Sequence, residues 1–150
     1  MMTRSLLNRL RERLGPSGYS VAADVLAPWL TDWRGRVTGR ALALVSPASL
    51  DEVRFIVETA AAASIPIVPQ GGNTSMVAGA TPGADGRALL LSMRRMNRIR
   101  AISPDENTLV AEAGVILSEV HDAAMAVDRL FPLSLGAKGS ATIGGLVSTN

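Results

Sequence analysis

No cysteine occurs in this chain, which excludes disulfides, iron–sulfur clusters and thiolate zinc sites from the segment. Aromatic residues make up only 3 % of it, too few for the ring platforms on which nucleic-acid bases stack. The net charge of +2 is too small for its basic balance to signal a polyanion, so nucleic acid is not an expected partner. No run approaches the roughly 20 apolar residues of a membrane-spanning helix. The N-terminus also lacks the apolar core of a secretory signal, and a cytoplasmic location is expected. Lys138 is the only lysine. Placed inside a glycine loop, it reads either as a point charge for phosphate or as a solvated loop cation.

What the chain has is aliphatic mass, with 47 % hydrophobic against 19 % charged residues, a globular balance. Its 150 residues suffice for one domain that buries about two-thirds of its unfolded surface. Arg4 to Leu14 has helical periodicity ended by Gly15-Pro16. Its Arg4, Arg9, Arg11 and Arg13 suit a targeting helix, but Leu6, Leu7, Leu10 and Leu14 read more simply as a docking face. A short helix is expected over Val21 to Leu30, an exposed turn at Trp33 to Arg36, and a strand over Ala41 to Val45. Ser49-Leu50-Asp51-Glu52 is a capping box. It opens a helix to about Ala63 with Val53, Ile56, Val57 and Ala60 on one face. Ile65 to Val68 reads as a buried strand. Ala88 to Ser92, Ile99 to Ile102 and Thr108 to Glu112 read as strands of a second, more β-rich lobe, followed by a helix over Leu117 to Asp128.

Two glycine-rich loops stand out: Pro69-Gln70-Gly71-Gly72-Asn73-Thr74-Ser75, after an apolar run, and Gly136-Ala137-Lys138-Gly139-Ser140-Ala141-Thr142-Ile143-Gly144-Gly145. Adjacent glycines let a ligand approach the backbone closely, and successive exposed N–H groups form a nest for anionic oxygens. Neither loop has the G-x-G-x-x-G spacing of a Rossmann site, and Lys138 precedes Gly139 where a P-loop lysine follows the last glycine. The residues suit a diphosphate gripped from two sides. Gly71 to Ser75 would take one phosphate; Thr142, Ile143 and Gly144 would approach from opposite, where a helix could begin. The chain ends at Asn150, within the second loop, and is expected to be the front of a longer protein.

Four stretches in order resemble one family: Pro69 to Thr74, Leu91 to Ile99, Val110 to Val115, and Phe131-Pro132-Leu133-Ser134-Leu135 through Thr149-Asn150. It is the FAD-linked oxidase family with the vanillyl-alcohol-oxidase-type domain, in its D-2-hydroxyacid dehydrogenase branch. The resemblance covers roughly Asp32 to Asn150. It implies an α+β fold, a PCMH-type FAD-binding domain of two α/β lobes cut within the second, over residues 32–150. Residues 1–31 would form a helical segment and the substrate (cap) domain would be absent.

The resemblance implies FAD bound by Pro69, Gln70, Gly71, Gly72, Asn73, Thr74 and Ser75. From the second loop it implies Leu133, Ser134, Gly136, Ser140, Thr142, Ile143, Gly144, Gly145, Thr149 and Asn150. It further implies hydride transfer from a small anionic 2-hydroxyacid to the flavin, an electron acceptor other than NAD, a divalent metal bound downstream, and a homodimer. An FAD-dependent oxidase, an alkyl-glycerone-phosphate-synthase-like enzyme and a non-catalytic fragment stay open. Ser75 and Ala78 stand where many members carry glycine, which implies altered loop flexibility with binding retained. Covalent flavin attachment in the family uses His or Cys. With no Cys, and with His121 on the expected last helix, non-covalent FAD follows. No residue of the segment is expected to be catalytic. The arginines of Arg94 to Arg100 are expected to be solvated, with Met96, Ile99 and Ile102 inward.

Overall fold

The computed structural model describes residues 2–149, the side chain of Met2 excepted; Asn150, expected in the site, lies outside the described residues. The chain opens with α1 (Met2–Gly18). Leu6, Leu10 and Leu14, one turn apart, are buried against Val45, Ile56, Leu89 and Leu91. This is the docking face that the leucine spacing predicts. As the sequence predicts, the long helix breaks at Gly15-Pro16, and a single further turn follows to Gly18. Gly15 takes φ 64° and ψ −175°, a kink glycine adopts without a Cβ penalty, and Pro16, with its fixed φ, starts the last turn. Arg9 and Arg13 lie over the Phe55 ring, 5.6 and 5.9 Å from its centroid.

Next come β1 (Tyr19–Ser20), α2 (Ala23–Leu26) and a 3-10 turn at Ala27–Trp29. The helix expected over Val21 to Leu30 is thus shorter and passes at Ala27 into a 3-10 turn, since Pro28 has no N–H for an α-helical bond to the carbonyl four residues back. Asp32 then staples the exposed turn, its carboxylate accepting the amides of Arg36 and Val37, both at 2.7 Å. The Val37 amide foremost holds its pKa below the ordinary carboxylate value.

Strand β2 (Ala41–Val45) leads into α3 (Leu50–Ala62), β3 (Ile67–Gln70) and β4 (Ala88–Ser92). Ser49 caps α3 by accepting the Glu52 amide at 3.2 Å, while the Glu52 carboxylate reaches past the cap to the Ala48 amide at 2.7 Å. Ile56 and Ala60 face the core, whereas Val57 is exposed and Thr59 takes its expected place inside.

The sheet order is β1-β2-β4-β3, with β2, β4 and β3 parallel and β1 antiparallel at the edge. Ala88 to Ser92 therefore belongs to the first lobe, not the second. All five of its residues are buried, as expected for a strand covered on both faces. Among the described residues, only the hairpin of β5 (Ile99–Ser103) and β6 (Thr108–Ala111) forms a separate sheet. It is followed by α4 (Leu117–Met125), shorter than expected, and α5 (Ile143–Thr149).

Candidate functional site

The first loop leaves the C-terminal end of a parallel strand, the usual place for ligands in open α/β sheets. Gln70, the last residue of β3, is 2 % exposed. Its Nε2 donates to the carbonyls of Trp29 at 3.0 Å and Ala80 at 2.8 Å. Those bonds turn Oε1 away, and it is buried with no donor among the described residues. Asn73 adopts φ 55°, a left-handed conformation that Asn tolerates, and its Nδ2 donates to the Thr31 carbonyl at 2.8 Å. Ser75 Oγ accepts the amides of Val77 at 3.4 Å and Gly79 at 3.2 Å. Side chains thus hold the loop in shape. Its own amides from Gly71 through Ser75 donate to no acceptor among the described residues. Five consecutive unengaged N–H groups, with a left-handed residue among them, have the features of an anion nest.

The second loop uses its amides differently. Lys138 N donates to Leu135 O, and Ser140 and Ala141 both donate to Ala137 O. The first two amides of α5 are taken as well, Ile143 by Val115 O at 2.9 Å and Gly144 by Ala113 O at 2.8 Å. Their contribution is to anchor the loop beside β6, and Thr142 bridges to Ile116 on that path. Ser134, Gly136, Ser140 and Gly145 are exposed. Leu133 is half-buried, its carbonyl accepting His121 Nε2–H at 2.8 Å. Thr149 Oγ1 donates to the Gly145 carbonyl.

The two loops meet. A Cβ on Gly71 would overlap the Thr142 side chain, and one on Gly72 would overlap the Ser140 carbonyl. Beside this contact lies a cleft of about 390 Å³ lined by Arg94, Asn97, Gly114, Ile116, Glu119, Gly139, Ser140 and Thr142. Of these, Arg94, Asn97, Gly114, Ile116, Glu119 and Gly139 are not among the residues expected in the site. Gly114 has a physical signature only in three dimensions: a Cβ there would overlap the Met93 carbonyl, so the strand end can pass under the turn after β4. Arg94 lies 4.4 Å from the Trp29 ring centroid and its Nε donates to Gly71 O at 3.4 Å.

As expected, Met96 is buried and Arg98 and Arg100 stay exposed, yet the other arginines of the stretch also hold protein acceptors. Arg95 donates to Ser46 O at 2.7 Å. Arg98 and Arg100 clasp the buried Glu112, Nη2 to Oε1 at 3.1 and 2.7 Å. The Arg98 amide, then the Arg100 guanidinium, lower the Glu112 pKa to about 2.

A surface of unengaged amides at a strand end, closed by a second glycine loop packed tightly against Gly71 and Gly72, fits the diphosphate of a dinucleotide. The sequence matches the family described as FAD binding domain over residues 41–150. The chain belongs to that family. D-2-hydroxyglutarate dehydrogenase of Xanthomonas citri pv. viticola is 38 % identical over 79 % of this FAD binding domain chain and 25 % of its own length. The mitochondrial D-2-hydroxyglutarate dehydrogenase of Arabidopsis thaliana is 38 % identical over 93 % and 25 %. D-2-hydroxyglutarate–pyruvate transhydrogenase of Saccharomyces cerevisiae is 34 % identical over 87 % and 26 %. The FAD binding domain chain thus spans about a quarter of the length of these relatives. In fold it is similar to alkyldihydroxyacetonephosphate synthase (TM-score 0.86, 19 % identity, 97 % of this chain and 29 % of that one). It is also similar to p-cresol methylhydroxylase (TM-score 0.74, 23 % identity, 97 % and 28 %). These neighbours bear out the α+β, PCMH-type fold.

Proposed function

We propose that this chain is the FAD-binding part of a flavin-dependent oxidoreductase that oxidises D-2-hydroxyacids of the 2-hydroxyglutarate, lactate or glycolate type to 2-oxoacids. The observation that carries the reading is the row of unengaged amides from Gly71 to Ser75, set against Ser140 and Thr142 in a chain of the FAD binding domain family. The names of the dehydrogenase relatives support the substrate class.

In this reading Pro69 and Gln70 deliver the first loop, and Gly71, Gly72, Asn73, Thr74 and Ser75 hold one face of the diphosphate through backbone donors. Ser140 and Thr142 close the other face. Ile143, Gly144 and Gly145 fix the second loop in place, and Leu133, Ser134, Gly136, Thr149 and Asn150 extend the cofactor's surroundings. Bound FAD would supply the redox chemistry, accepting two electrons from the hydroxyacid. The chain's own residues bind and orient it. His121 serves structure, since Nε2 is committed to Leu133 O and the ring lies 6.1 Å from Phe131; the flavin is held non-covalently.

Residues 32–150 form the cofactor domain, and residues 1–31 cover its sheet. A divalent metal, the base and the carboxylate clamp would come from residues outside this chain. Among the described residues no three His, Cys, Asp or Glu side chains cluster as metal ligands. The reading further takes the acceptor to be other than NAD, the protein a homodimer and its place the cytoplasm. Among the described residues no helix is long and apolar enough to cross a membrane.

The test is the visible spectrum of the purified protein before and after acid precipitation. A flavin spectrum that moves to the supernatant and bleaches with a D-2-hydroxyacid is the expected result. Colourless protein that FAD cannot reconstitute would contradict the reading.

A further inference from the structure

Four arginines lie between positions 94 and 100, and three are turned to protein acceptors. Arg95 holds Ser46 O, and Arg98 and Arg100 hold Glu112. Arg94 differs. Its guanidinium is stacked on Trp29 at 4.4 Å and pinned through Nε to Gly71 O at 3.4 Å. Its two terminal amino groups have no acceptor among the described residues. Stacking and the single Nε bond remove much of the rotational freedom that an exposed arginine would lose on binding a ligand. The cation lines the cleft together with Ser140 and Thr142, and it is fastened to the residue where the row of unengaged amides begins. The carboxylate of Glu119 on the cleft wall accepts the Ile116 amide at 3.0 Å, which holds it on its own helix end.

A forked cation beside a row of backbone donors is complementary to an anion with several oxygens, and two parallel N–H bonds from Arg match phosphate geometry where an ammonium acts as a point charge. We propose that Arg94 donates from its terminal amino groups to the cofactor diphosphate, supplying a positive charge that the first glycine loop lacks. The inference rests on the flavin reading above and adds to it a side chain with a charge.

The test compares wild type with Arg94→Met and Arg94→Lys by titration with FAD, ADP and riboflavin, after thermal melts establish that the variants fold. Arg94→Met should weaken FAD and ADP alike, by about tenfold to a hundredfold for loss of charged hydrogen bonds. Riboflavin, which has no phosphate, should bind all three proteins equally. Arg94→Lys should fall between, because charge is kept and the fork is lost. The gap between wild type and Arg94→Met should close in roughly 1 M KCl, where the screening length is about 3 Å.

Equal losses for FAD and riboflavin, or a gap that salt leaves unchanged, would overturn the proposal and reduce Arg94 to a clip for Gly71. Unchanged FAD and ADP affinity with a raised KM for the hydroxyacid would also overturn it and give the guanidinium to the substrate carboxylate. Wild-type protein that binds neither FAD nor ADP would sink the flavin reading itself, a result distinct from any effect of the variants.

Discussion

The two glycine-rich loops look alike as text and differ as chemistry. From Gly71 to Ser75 the backbone amides have no acceptor among the described residues, because Gln70, Asn73 and Ser75 hold the loop with side chains instead. In the second loop, Ser140, Ala141, Ile143 and Gly144 all donate within the protein. Glycine content alone therefore does not distinguish a ligand cradle from a packing joint. The destination of each N–H does. Glycine also serves different ends in the two places. At Gly71 and Gly72 it permits contact with the other loop, whereas a Cβ at Gly136 or Gly139 would meet nothing within 4 Å.

The largest effect is expected where that contact is tightest. Gly72→Ala would drive a Cβ into the Ser140 carbonyl, a backbone atom that cannot rotate away. We expect a cost of about 3 kcal/mol, at the upper end for overpacking, together with at least roughly tenfold weaker FAD binding. Gly139→Ala, in open space at the opposite loop, should leave both within about 0.5 kcal/mol of wild type. Thermal melts and FAD titration of the pair check this, and equal behaviour of the two variants would erase the distinction between the loops.

Gly144→Ala sharpens the other side. Its Cβ would come within 2.8 Å of Ala113 Cβ and 3.0 Å of the Ala113 carbonyl, loosening the joint between α5 and the segment after β6. A loss of about 1–2 kcal/mol is expected, with hydrogen exchange accelerating at Ile143 and Gly144 before it changes in β2 or β4.

A smaller effect is expected from pH. Glu112, clasped by the Arg98 amide and the Arg100 and Arg98 guanidinium groups, has its pKa lowered from 4.5 to about 2. A depressed folded-state pKa stabilises above the unfolded value and loses that contribution as pH falls from about 4.5 towards about 2. Melting temperatures across that window should drop less steeply for Glu112→Gln than for wild type, with the variant less stable at neutral pH. Parallel profiles would show that the clasp is not formed in solution.

The smallest effect concerns Ala78, which stands at φ 55°. Ala78→Gly relieves a left-handed alanine at about 1 kcal/mol and adds unfolded-state entropy that offsets part of it. A net gain of about 0.5 kcal/mol should appear in the melt, with FAD affinity retained.

Local signals carried much of this architecture. Apolar runs bounded by turn residues place β2 and β4 at the residues where they are found, and Ser49 begins α3 by the capping chemistry its spacing implies. What could not be read were relations between distant segments. Nothing in Ala88 to Ser92 says that it inserts between β2 and β3, because its uniform apolarity fits any doubly covered strand. Val57 sits on the predicted face of α3 and yet points outward, since the sheet, packing along Ile56 and Ala60, decides where that face is centred. At the site, both glycine loops were legible from composition. Arg94 was not, because its meaning comes from Trp29 and Gly71, far from it in sequence. Gly114 reads as a strand end until the Met93 carbonyl is seen lying against it.

Amide hydrogen exchange, read residue by residue by NMR with and without saturating FAD, tests the contrast between the loops most directly. Without FAD, Ile143 and Gly144 should already be protected while Gly71 through Ser75 exchange freely. With FAD, exchange at Gly71 to Ser75 should slow by at least about tenfold, the equivalent of roughly 1.4 kcal/mol, with little change at Ile143 and Gly144. Protection that appears at the second loop and leaves Gly71 to Ser75 unaltered would contradict the assignment of the diphosphate to the first loop's amides.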